Sequence, residues 1–312
     1  MGGALDLFST NNVNLPEFPV SKKIYPKNNQ FVFFKVSKKS FHQVDEVLNF
    51  DYPRLTINGW FHGFTDNKDF DEDHIKFLIE PLVYTPQLKM SIELNEFIND
   101  EYLKADIKNS IQQSIEENSE TALEEYFAPD FYDAILDCLT GDKLKWNLKS
   151  PANQHRYEVL DQKCVKKVSP LQELINLSKS KAFFELLKEY TELDLVQVNC
   201  EVKRFSGGDY TLIGDASSFQ ECSLDLVMHF GENMKSGIIT YLTPEQENEN
   251  DLEEEKVADE EADDPVLLTI YPKKNVLNLV YRNEGTAKFT KYCYKAAPFK
   301  EYTYLLTCSY KE

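Results

Sequence analysis

The sequence predicts an α+β, mainly β chain: one complete jelly-roll barrel with packed helices, preceded by the closing half of a second, truncated barrel. A repeat, a long C-terminal run of short strands and helical periodicity confined to the middle of the chain predict it. The repeat comes first. Ile24-Tyr25-Pro26-Lys27-Asn28-Asn29-Gln30-Phe31-Val32-Phe33-Phe34 returns as Ile270-Tyr271-Pro272-Lys273-Lys274-Asn275-Val276-Leu277-Asn278-Leu279-Val280. The flank before it also returns, Gly3-Ala4-Leu5-Asp6-Leu7-Phe8 as Gly237-Ile238-Ile239-Thr240-Tyr241-Leu242. If the second copy is a complete barrel, the opening strands of the first would lie before Met1.

Each element has its own signal. In the first region, 1–64, strands are expected at 4–8, 30–36 and 54–61, with Asn11-Asn12 and Asn58-Gly59 as turn signals. Residues 65–90 read as a linker, charged over 66–73. From 91 to about 139 apolar residues fall three and four apart (Leu94, Phe97, Ile98, then Ile107, Ile111, Ile115), predicting helix interrupted at Pro129. Ser169-Pro170, a cap followed by proline, opens a second predicted helix that runs to Tyr190 and buries Leu174, Ile175, Phe183, Phe184, Leu186 and Leu187. Strands follow at 196–205, 209–213, 222–230, 237–242, 266–271, 276–281, 287–294 and 302–310. Many short strands after a leading helix suit a jelly roll, which removes exposed edges by closure or by packing two sheets. The second domain is therefore 91–312.

With 21 Phe and 17 Tyr in 312 residues, the chain has the aromatic content of a folded protein. No apolar run approaches the roughly 20 residues that span a bilayer, so no membrane role is expected. Six cysteines lack Cys-x-x-Cys spacing, which argues against a zinc site and a disulfide framework. Reduced thiols in the cytoplasm or nucleus are expected. Residues 245–264 hold twelve acidic residues against the single Lys256, more than half of the formal charge of −19, and read as a disordered acidic loop. Without a basic stripe, direct nucleic-acid binding is disfavoured. A basic protein or peptide fits better as partner.

The first copy carries the reactive residue types. On a strand, Arg54, Thr56, Asn58 and Trp60 share one face. A guanidinium turned into a barrel needs an anion, and its fork matches a carboxylate; the Thr56 hydroxyl can add a donor. His42, twelve residues earlier on the neighbouring strand, could ligate a metal through a neutral imidazole. Each also has a plain structural reading, His42 as a hydrogen-bonded strand residue and Arg54-x-Thr56 as surface. Aligned on Phe41 and Phe289, the second copy places Thr290 at the histidine and has no basic counterpart of the arginine.

Gly2-Gly3-Ala4-Leu5-Asp6-Leu7, Val32-Phe33-Phe34-Lys35-Val36-Ser37, Ser40-Phe41-His42-Gln43-Val44-Asp45-Glu46-Val47-Leu48 and Arg54-Leu55-Thr56-Ile57-Asn58-Gly59-Trp60-Phe61-His62-Gly63 resemble the Fe(II)- and 2-oxoglutarate-dependent prolyl hydroxylases that modify a small-subunit ribosomal protein. Ala152-Asn153-Gln154-His155-Arg156-Tyr157-Glu158, Gly208-Asp209-Tyr210-Thr211-Leu212-Ile213-Gly214-Asp215 and Val280-Tyr281-Arg282 extend the resemblance over nearly the whole chain. It implies two double-stranded β-helix domains, the N-terminal one catalytic and the C-terminal one, called the degradation domain, without metal. By the same resemblance His42 is the distal iron ligand of a His-x-Asp…His triad, and Arg54 with Thr56 holds the far carboxylate of 2-oxoglutarate. Fe(II), 2-oxoglutarate and O2 are the implied cofactors, and the family adds ascorbate. Trp60 reads as a packed aromatic or a cleft border, and His62 as structural. The His-x-Asp pair should precede Gly2; the second copy has Gly214-Asp215-Ala216 in the matching place. The chain alone is therefore expected to be inactive as a hydroxylase. Two other readings stand beside it: a protein-interaction domain with a regulatory partner, and a carbohydrate- or small-molecule-binding jelly roll.

Overall fold

The computed structural model describes residues 2–37, 39–49, 51, 53–63, 83–90, 92–141, 143–213, 221–232, 234–243, 265–295 and 302–312. The expected acidic loop at 245–264, most of the linker and Gly214-Asp215-Ala216 lie outside them. The first region is a small antiparallel sheet in which β1 (Leu5–Leu7) is flanked by β2 (Lys22–Ile24) and β3 (His42–Val44).

The second region holds β4 (Thr85–Pro86), α1 (Ala105–Asn118), β5 (Glu120–Glu124), α2 (Pro129–Thr140), β6 (Trp146–Lys149), β7 (His155–Leu160), α3 (Pro170–Lys179), α4 (Lys181–Thr191) and β8 (Gln197–Phe205). There follow β9 (Tyr210–Thr211), β10 (Ser223–Phe230), β11 (Ile239–Leu242), β12 (Val266–Ile270), β13 (Val276–Arg282), β14 (Ala287–Thr290) and β15 (Thr303–Lys311). A large sheet runs in the order β5-β13-β10-β15-β8-β7-β6, and a small one in the order β12-β11-β14. The two face each other as a jelly roll, joined at one edge where Thr290 N–H donates to Thr211 Oγ1 on β9 at 2.6 Å.

Alternation sorts the side chains of the large sheet. Leu224, Leu226, Met228 and Phe230 of β10, with Tyr304, Leu306, Cys308 and Tyr310 of β15, pack into the core shared with the helices. Val227 and Leu305 point the other way, into a second core with Ile239, Tyr241, Ile270 and Val280. With both faces covered, every residue of β10 is buried. β10 still alternates, with Leu224, Leu226, Met228 and Phe230 toward the helices and Ser223, Asp225 and His229 among the residues facing the barrel interior, because that interior is partly polar.

The duplication is visible in the backbone. Leu5 pairs with Ile24, and Ile239 pairs with Ile270, so β1-β2 and β11-β12 share one register relative to the Ile-Tyr-Pro motif. Gly3 (φ +74°) and Gly237 (φ +84°) open the two central strands in the left-handed region. Asn29 and Asn275, both at φ 53°, close the turn after each motif.

Four expectations change. Residues 30–36 and 54–61 form no strand. In the second copy their counterparts β13 and β15 both pair with β10; 30–36 and 54–61 enter no such ladder among the described residues, and backbone outside a ladder leaves its polar groups to water. Phe31, Phe33, Leu55 and Ile57 are consequently exposed. The helix expected over 169–190 is two, because Ser180 accepts from Phe183 N–H at 3.2 Å and so starts α4 where α3 ends. Ser180→Ala should cost about 1 kcal/mol, the usual worth of such a cap, read as a lower denaturant midpoint. Between Ile115 and Pro129 the chain turns to strand: Ser119 closes α1 at φ 59° and β5 then adds to β13.

Candidate functional site

β3 carries His42 into register with Leu7 of β1. The imidazole meets the edge of the Phe34 ring at 5.0 Å, and its Nδ1 lies 2.8 Å from the Ser40 carbonyl. A carbonyl only accepts, so Nδ1 carries the proton and Nε2 keeps the lone pair that could bind a metal.

Arg54 approaches the same strand from its other end. Its Nε–H donates to the Gly3 carbonyl at 2.8 Å, and Nη1 donates to Thr56 Oγ1 at 3.3 Å. Glycine is needed beneath it, since a Cβ at Gly3 would stand 3.0 Å from Arg54 Cδ on a backbone already at positive φ. Nε is spent on the backbone, while Nη2 and the second Nη1 proton stay available to a carboxylate. Arg54 and Thr56 are thus brought together. His42 shares β1 with them but bonds to neither among the described residues; Gly3 and Leu7 stand four residues apart, about 13 Å along a strand.

Register corrects the comparison with the second copy. His42 faces Leu7, and Lys288 faces Tyr241, the counterpart of Leu7, so a lysine replaces the histidine and Thr290 matches Val44. Pro26 to His42 and Pro272 to Lys288 are the same number of residues, a signal that aligning the phenylalanines obscured. Against Gly237 stands Leu305, 3.1 Å from a Cβ placed there, where Arg54 lies against Gly3.

The second barrel is therefore charged inside, not stripped. Asp225 is fully buried and accepts from Lys288 Nζ at 2.7 Å, Ser309 Oγ at 2.6 Å and Tyr241 Oη at 3.3 Å. Arg282 Nε stands 3.5 Å away, with Nη2 donating to Ser223 Oγ at 2.9 Å. Burial pushes the Asp225 carboxyl up, but Lys288 and Arg282 outweigh it and hold it below its ordinary value.

Among the described residues no group of three or more His, Cys, Asp and Glu side chains is placed to hold a metal. Among the described residues His42 brings no second His, Cys, Asp or Glu into a ligand group with it, so the carboxylate seat fits its ligand better than the metal seat does. Trp60 is 69 % exposed and is not a packed core aromatic, and His62 is exposed as well. The sequence reading also missed Glu46, Tyr292 and Lys295, which join the two regions. Tyr292 Oη donates to Glu46 Oε2 at 3.1 Å, Lys295 N–H donates to the same oxygen at 2.7 Å, and Lys295 Nζ pairs with Asp45.

Residues 1–62 match the 2OG-Fe(II) oxygenase superfamily, and residues 90–312 match the family described as oxoglutarate and iron-dependent oxygenase degradation C-term. Prolyl 3-hydroxylase sudestada1 of Drosophila melanogaster is 43% identical over 326 residues, covering 100% of this chain and 60% of the fly protein. Prolyl 3-hydroxylase OGFOD1 of Xenopus laevis is 28% identical over 332 residues, 93% of this chain and 60% of that one. Prolyl 3,4-dihydroxylase OGFOD1 of Ostreococcus tauri is 24% identical over 362 residues, 99% and 69% respectively. The chain thus spans about 60% of the length of the fly and frog proteins. With 90–312 matched from end to end by one family, the chain belongs to the oxoglutarate and iron-dependent oxygenases that carry the degradation C-terminal domain.

Proposed function

We propose that this chain is the C-terminal portion of an Fe(II)- and 2-oxoglutarate-dependent prolyl hydroxylase acting on a basic protein, a small-subunit ribosomal protein by family resemblance. The observation that carries it is the Arg54–Thr56 pair, a guanidinium pinned by Nε with its remaining donors beside a hydroxyl, built on the strand that also pairs with His42. Arg54 and Thr56 bind and orient the far carboxylate of 2-oxoglutarate, and His42 offers Nε2 as one ligand. Bound ferrous iron supplies the oxygen chemistry, with two more protein ligands needed to leave three open positions. The exposed Phe31, Phe33, Leu55 and Ile57 are the face against which further strands of the catalytic domain would pack.

Given ferrous iron, 2-oxoglutarate and ascorbate, the 312-residue chain should release no succinate above buffer. The same chain extended upstream through an in-frame His-x-Asp should, and Arg54→Ala in the extended protein should raise the KM for 2-oxoglutarate about 10- to 100-fold, the worth of a charged hydrogen bond. An upstream frame with no His-x-Asp within about a hundred codons, a domain's length, ends this reading. A second reading, binding without chemistry, suits the second barrel, where the Asp225–Lys288 pair stands at the position His42 holds in the first copy.

A further inference from the structure

We infer that Tyr292 and Lys295, on the loop after β14 of the second barrel, are positioning residues for the carboxylate seat in the first region. The inference rests on the reading of Arg54 and Thr56 given above and adds how that seat is held.

A continuous hydrogen-bonded path runs between the two. Tyr292 Oη and Lys295 N–H converge on one carboxylate oxygen of Glu46, two residues beyond β3. The Glu46 carbonyl accepts from Gly3 N–H at 2.7 Å, and the Gly3 carbonyl accepts from Arg54 Nε–H at 2.8 Å. The guanidinium then reaches Thr56. Beside this path Lys295 Nζ pairs with Asp45, which Lys23 also holds at 3.1 Å, and Asp45 N–H donates to the Ala4 carbonyl at 2.8 Å. One loop thereby fixes both the exit of the His42 strand and the start of β1.

The loop can hold because it is itself seated. A Cβ on Gly207 would come within 2.9 Å of Lys295 Cα, and one on Gly208 within 2.7 Å of Lys295 Cε. Gly208 N–H donates to the Cys293 carbonyl at 2.7 Å, and Cys293 N–H donates to the Asp209 carbonyl at 2.9 Å. Asp209 pairs with Arg156, whose guanidinium lies over the Phe18 ring at 5.6 Å, a second contact between the regions. Burial, then the Glu46 charge, raises the Tyr292 phenol above its ordinary value, so it remains a donor at neutral pH.

Nitrogen-15 NMR of arginine side chains in the whole chain tests this, because only Arg54, Arg156, Arg204 and Arg282 contribute signals. Arg204 Nε–H, bonded to Glu158 at 2.7 Å, serves as internal reference. Glu46→Ala and the double variant Tyr292→Phe/Lys295→Ala should each speed solvent exchange of Arg54 Nε–H by about fivefold, the loss of one ordinary hydrogen bond. Glu46→Gln, which keeps an acceptor in place, should restore it to within about twofold, a rescue that general loosening of the fold would not give. Unchanged Arg54 exchange in variants with the Arg204 signal intact overturns the proposal. Should the Arg204 signal be lost in the double variant, Tyr292→Phe alone decides by the same criterion. Failure of the underlying reading looks different: 2-oxoglutarate added to the unaltered chain would leave the Arg54 signal where it was.

Discussion

Asp225→Ala should destabilise the chain by about 3–5 kcal/mol, the range for removing one partner of a buried ion pair. The carboxylate is fully buried, and the ammonium of Lys288 and the guanidinium of Arg282 both face it, with three hydroxyls around them. Deleting it removes the anion that the buried Arg282 guanidinium and the partly exposed Lys288 ammonium share. Against a typical domain stability of about 5–15 kcal/mol, such a loss is a large fraction of the whole. Removing the charges together should cost much less, so Asp225→Asn combined with Lys288→Met should recover most of the midpoint in urea. A single variant within about 1 kcal/mol of the parent, well below that range, would show that the cluster is not what holds the barrel interior. The sign with pH follows from the depressed carboxyl. Its contribution is full above the ordinary aspartate range near pH 4 and is lost as pH falls through the lower folded value.

The second large effect is a loss of stability between pH 7 and pH 4 carried by His229. Its Nε2–H donates to the Gly237 carbonyl at 2.8 Å, and Nδ1 is buried without a hydrogen-bond partner among the described residues. Burial lowers its pKa to about 4, with the Gly237 bond offsetting only part. Unfolded, the ring takes up its proton near pH 6.5; folded, it refuses one until about pH 4. Stability from this group is therefore complete above pH 6.5, declines by about 1.4 kcal/mol per pH unit below it, and levels off below the folded value. The total is about 3 kcal/mol. His229→Gln keeps an amide donor for Gly237 and cannot titrate, so urea midpoints of parent and variant should diverge over this interval. Parallel curves would mean the ring charges without opening the fold.

Local pattern carried much of the architecture. β8, β10, β13 and β15 lie within a residue or two of where alternation and aromatic content put them, because each has both neighbours in the chain. Residues 30–36 and 54–61 have comparable strand propensity but enter no ladder among the described residues, and there propensity failed. At the site, Arg54-x-Thr56 was readable because both residues lie on one short segment. The match of His42 to Lys288 was not, since it depends on which residue faces Leu7 and Tyr241 across a ladder. Glu46 and Lys295 are far apart in sequence, and nothing in either stretch announces a partner so distant.

β12 stands at the rim of the small sheet, with Val266 and Leu267 turned to solvent. A sheet border is the general place where another strand, including the same strand of another molecule, can add. The twelve acidic residues that precede it in sequence bear on that hazard. Like charges repel, and those within a Debye length of about 8 Å of each other at physiological salt are only partly screened. Shortening that acidic run should therefore lower solubility before it touches the fold.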